Sequence, residues 1–123
     1  MITLLNGFPD DVVALRADGQ VSMADYDTVL IPAVEDVLSR HDKVKIYYEF
    51  AAGFTGMDLG AMVEDARVGF GHLGAWKRIA LVTDVDWLRH AADLFHFLIP
   101  AETRVFALAQ AAEAQTWIAE KSA

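Results

Sequence analysis

The chain has 123 residues and a formal charge of −8, from 18 acidic against 10 basic side chains. That length supports one domain spanning 1–123 with a single core, and the negative charge opposes phosphate backbones, so nucleic acid is not an expected partner. The absence of cysteine excludes disulfides, thiolate catalysis and cysteine-ligated zinc.

The amino terminus, MITLLNGFPDD, lacks a basic leader followed by a signal-length apolar core. No apolar run approaches the roughly 20 residues of a membrane span. A soluble, cytoplasmic protein is expected. Ile2 to Leu5 and Val12 to Ala17 are short apolar runs separated by the turn-like Asn6-Gly7 and Pro9-Asp10-Asp11, and they predict an opening antiparallel pair closed at Asp18-Gly19. Ser22, followed by Asp25, is a capping signal: its hydroxyl and the carboxylate satisfy amides that the first helical turn leaves unpaired. The periodicity of Tyr26, Val29, Leu30, Val34, Val37 and Leu38 predicts a helix from about Met23 to Arg40, with Pro32 as a kink or a later start.

The next strand, Val44 to Phe50, places Val44, Ile46, Tyr48 and Phe50 on one face and Lys45, Tyr47 and Glu49 on the other. The polar content of the second face predicts half burial, with most helices on the opposite side of the sheet. A helix follows with Leu59, Met62, Val63, Ala66, Phe70 and Leu73 on its apolar face, covering the sheet. Gly60, Gly69, Gly71 and Gly74 weaken it, at about 1 kcal/mol for each interior glycine relative to alanine. Arg78 to Asp84 and Arg104 to Leu108 read as further strands. Asp86 to Leu98 and Ala111 to Lys121 read as the helices after them, the first with Trp87, Ala91, Leu94, Phe95 and Leu98 inward and Phe97 and Ile99 off the stripe. The predicted order is β-β-α-β-α-β-α-β-α: an α/β domain with a mixed five-stranded sheet and right-handed crossovers.

Hydrophobic residues make up 54% of the chain, above the usual range of about 45–50%. Methionine and aromatic side chains near the strand ends, Phe50, Phe54, Met57, Trp76 and Trp87, are the candidate lining of a site for a small apolar or lipid-like molecule. A homodimer interface would use the same apolar surface. Glu49 and Asp84 lie near strand ends and form the basis of a third reading, a metal-assisted enzyme, against their ordinary use in capping and ion pairing. His41, His72, His90 and His96 give no H-x-x-x-H pair, no G-x-S-x-G elbow occurs, and Gly69-Phe70-Gly71 lacks the spacing of a dinucleotide loop. No metal or cofactor is expected.

The run RIALVTDVDWLRHAADLFHFLIPAETRVFAL carries a strand ending Thr83-Asp84, then Trp87, the strand Arg104-Val105-Phe106 and a closing helix with Trp117. In this it resembles the SpoIIAA-like proteins, a bacterial group related to the STAS domains of sulfate transporters and anti-sigma factor antagonists. The resemblance implies a non-enzymatic domain whose fold is shared with lipid-carrying CRAL-TRIO domains, and with it apolar-ligand binding or peripheral membrane association. It also implies the alternative of a regulatory module with a protein partner. In anti-sigma antagonists a serine in a D-S-S-G-like loop after the third strand is phosphorylated. The corresponding residues here are Ala52-Gly53-Phe54-Thr55-Gly56, with Thr55 at the acceptor position, no preceding Asp, and Phe54 beside it.

Overall fold

Five strands form one sheet in the order β1-β2-β3-β4-β5. They are β1 Ile2–Leu4, β2 Val12–Val21, β3 Val44–Met57, β4 Trp76–Val82 and β5 Glu102–Phe106. β1 runs antiparallel to β2 and the rest are parallel. The computed structural model of the chain describes residues 1–71, 74–98 and 101–120, apart from the side chains of 69, 70 and 94–98.

When parallel strands lie side by side in chain order, right-handed crossovers place every connecting helix on the same face. The packing agrees. Val34 and Val37 of α2 (Ile31–Leu38), Ala61 and Val68 of α3 (Leu59–Gly71) and Leu88 of α4 (Asp86–Leu98) share one core with Leu15, Ile46, Tyr48 and Phe50. The last helix, α5 (Ala111–Ala119), crosses to the other face, where Ala114, Trp117 and Ile118 pack on Ala14, Tyr47, Ala80 and Val82. Most helices therefore lie on one side, as the sequence predicts. The second face of β3, however, is fully buried: Lys45 is 3% exposed, Tyr47 0% and Glu49 8%.

That face tolerates its polar residues because each polar head has a partner. Lys45 donates to the carbonyl of Glu120 at 2.7 Å, and Arg78 to that of Trp117 at 2.9 Å, so two cations meet carbonyls at the C-terminal end of α5. Tyr47 donates to Glu49 at 2.6 Å, and Arg16 donates to the same carboxylate at 2.7 Å. Burial and that carboxylate push the Tyr47 phenol up to about 12.

β4 and β5 each lie two residues earlier in the chain than their predicted spans, and two strand ends move further. β2 continues past Asp18-Gly19 to Val21, because Gly19 adopts φ +60° and the strand passes it with register shifts instead of ending. This lengthened β2 gives β3 a partner beyond Phe50, with Gly19 opposite Phe54 and Val21 opposite Met57. Ala52 to Gly56 is consequently strand and not the predicted loop.

The capping box forms as read: the Ser22 hydroxyl accepts from the Asp25 amide, and the Asp25 carboxylate accepts from the Ser22 amide at 2.8 Å. The helix behind it is composite, α1 (Met23–Asp25) leading through a π turn at Tyr26–Leu30 into α2. The Ile31 amide reaches the Tyr26 carbonyl, five residues back, just ahead of Pro32, which has no amide to continue the regular ladder. Among the described residues, no helix is long and apolar enough to cross a membrane.

Candidate functional site

Helix α3 presents a different face from the one its periodicity predicts. Leu59 is 78% exposed, Val63 59% and Met62 44%, whereas Ala61 is 0% and Glu64 7%. The predicted partners Phe70 and Leu73 lie outside the described side chains, as do Leu94, Phe95, Phe97, Leu98 and Ile99 of the α4 reading. Contacts at the start of the helix and with the distant Met23–Tyr26 segment account for the rotation. The Asp58 carboxylate accepts the Ala61 amide at 2.7 Å and caps the helix. Gly60 lets α3 approach α1 closely, since a Cβ there would stand 3.1 Å from Cβ of Met23. One turn on, Asp65 accepts a hydrogen bond from the Tyr26 hydroxyl at 2.7 Å.

Between this face of α3, α4 and the sheet lies an apolar cavity of about 150 Å³. β3 contributes Ile46, Tyr48 and Phe50, β4 contributes Ile79 and Leu81, and Leu88, Ala91 and Ala92 of α4 close the far side. Tyr26, from the π turn, and Asp65 supply its polar wall. The hydroxyls of Tyr26 and Tyr48 are 3.2 Å apart, so Tyr48, Tyr26 and Asp65 form one hydrogen-bonded chain on a largely apolar wall.

Burial raises the Asp65 carboxyl above its ordinary range, partly countered by the Tyr26 hydrogen bond. Burial likewise raises the Tyr26 phenol, with the Asp65 charge adding to it, and raises that of Tyr48. No basic side chain among the described residues forms an ion pair with Asp65.

Of the candidate lining residues, Phe50, Met57 and Trp76 reach the cavity wall. Phe54 and Trp87 do not. Phe54 packs edge-on against Phe50 with ring centroids 4.8 Å apart, and Trp87 sits 6.4 Å beyond it, 45% exposed. Thr55 is exposed within β3, three residues before the cap Asp58, so it is not the N-cap of α3.

Glu49 and Asp84 have separate duties. Glu49 holds Arg16 and Tyr47, while Asp84 accepts the Leu108 amide at 3.0 Å and ties the end of β4 to the approach of α5. His41 pairs with Asp10 at 3.0 Å and His90 is exposed. Among the described residues, no group of three or more His, Asp or Glu is placed to hold a metal ion.

The element missed from sequence is Asp65. Its signal is positional: Ala61, Asp65 and Val68 recur at helical spacing, and they mark a second, narrower apolar face carrying one acid.

No curated protein matches the chain. Among solved structures, an uncharacterized DUF3478-family protein with a SpoIIAA-like fold from Shewanella loihica PV-4 superposes with a TM-score of 0.72 at 22% identity. The match covers 96% of this chain and 92% of that one. The SpoIIAA-like family model matches residues 12–119, nearly the whole α/β unit described above, and the chain belongs to the SpoIIAA-like family.

Proposed function

We propose that the chain is a non-enzymatic binding domain that holds a small apolar molecule between the sheet and helices α3 and α4. The observation that carries this reading is the cavity itself, about 150 Å³ in volume and walled mainly by apolar side chains. Well-packed cores leave few voids larger than a water molecule. Apolar cavities near this size stay dry and accept benzene. The volume also sets the ligand's size. Pockets that enclose drug-sized ligands measure about 300–1,000 Å³, so this one takes a ring or a short branched chain, and a lipid-like ligand would insert only part of its length.

The test is a chemical-shift titration of isotope-labelled protein with toluene. Saturable shifts at Leu81, Leu88 and Ala92 are expected in the parent, and Ala92→Phe, which fills the cavity, should abolish them. No saturable shifts in the parent would refute the pocket.

A second reading, a module that meets a protein partner, rests on the outward stripe of Leu59, Met62 and Val63 beside the half-exposed Met23. Contiguous apolar surface on a small domain marks an interaction face. Exposed Thr55, near the start of α3, is the residue that would modulate such a contact on phosphorylation.

A further inference from the structure

We infer that the cavity is selective for a small apolar molecule carrying one cationic, hydrogen-bond-donating head, an amine, which Asp65 receives. This deepens the pocket reading and rests on it. A carboxyl group in an apolar wall is costly unless it is paired. The protein supplies Asp65 with one neutral donor, the Tyr26 hydroxyl at 2.7 Å, and no cation among the described residues. Tyr26 is fully buried and its hydroxyl stands 3.2 Å from that of Tyr48, so the acid's hydroxyl partner is held in place by packing and by a further hydroxyl.

A purely apolar occupant has no use for this arrangement and would leave the carboxylate's remaining acceptor capacity unanswered. An anion would face Asp65 without a counter-charge. An ammonium group completes the site: it is an ion-pair partner for the acid and can also donate to a tyrosine oxygen, while its hydrocarbon body occupies the wall formed by Leu81, Leu88 and Ala92. Among the described residues, the remaining groups around the cavity, Ile46, Ile79 and Val68 among them, carry no charge that would compete for the head.

The experiment compares benzylamine, benzyl alcohol and toluene, three bodies of nearly one shape, by the same titration near neutral pH. Benzylamine is expected to bind about tenfold or more tightly than toluene, as a charge-assisted hydrogen bond in a largely apolar site provides. Benzyl alcohol should fall between them. Because a chain of charge −8 attracts cations unspecifically, the decisive quantity is the benzylamine-to-toluene ratio in Asp65→Asn, which should drop to about one. If toluene binds the parent but the ratio is near one, or survives Asp65→Asn, the amine assignment is overturned and the pocket stands. If none of the three binds the parent, the pocket reading fails and this inference fails with it.

Discussion

Asp65 shows how one side chain can oppose stability through its burial. Its carboxyl is raised by burial, so between the ordinary value near 3.8 and its higher folded value the native state holds more protons than the unfolded chain. Stability therefore falls as pH rises through that interval, and the cost is fully present above it. Asparagine keeps an oxygen to accept from Tyr26 and removes the charge. Asp65→Asn is thus expected to raise the free energy of unfolding at about pH 8, with the gain shrinking toward pH 4, as read from urea denaturation of parent and variant across that range. A gain that is absent or independent of pH would show that the carboxylate is not desolvated. Asp25 has the opposite sign: its hydrogen bonds with Ser22 hold its carboxyl low despite partial burial, so its contribution is present above the ordinary carboxylate value and lost as pH falls through the folded one.

At the scale of elements, the rotation of α3 separates two classes of substitution that periodicity alone would confuse. Leu59 and Val63 point outward and Ala61 is fully buried against the core around α1 and the sheet. Leu59→Lys and Val63→Lys should each change stability by less than about 0.5 kcal/mol, as surface changes do. Ala61→Leu should cost about 1–3 kcal/mol by overpacking. The opposite ranking in thermal or chemical denaturation would place the helix the other way round. The same lysine variants bear on the second functional reading, since loss of self-association or partner capture without loss of stability is what an interaction stripe predicts. β3 offers a parallel lesson: its extension from Ala51 to Met57 exists because β2 runs on through Gly19 to meet it.

Across the whole molecule the two faces of the sheet have different characters. Behind it, α5 packs closely: Trp117 lies 6.0 Å from Phe106 between centroids, under the guanidinium groups of Arg78 at 4.8 Å and Arg104 at 5.4 Å. In front, three helices cover a larger core that contains the cavity. The back face therefore supports the sheet on which the front helices and the cavity rest. Trp117→Ala should cost about 3–5 kcal/mol, a large part of the roughly 5–15 kcal/mol that holds a domain together. A loss below about 1 kcal/mol in denaturant titration would mean that α5 is not the structural support described here.

Strand and helix alternation, the Ser22–Asp25 capping box, the span of α4 and the family resemblance were all legible in the order of residues. Each depends on neighbours a few positions apart, where period and side-chain chemistry act directly. Phe50, Met57 and Trp76 were legible as candidate lining by composition near strand ends, and Asp65 was not. A helix with two apolar faces, one broad through Leu59, Met62 and Val63 and one narrow through Ala61, Asp65 and Val68, contains no local rule that selects between them. That selection belongs to the close approach of Gly60 to Met23 and to the hydroxyl of Tyr26, 39 residues from Asp65 in the chain. Local residue patterns thus specify the α/β architecture. Tertiary packing decided which face of α3 turns inward and where the half-buried acid stands, because both depend on contacts that exist only once distant segments meet.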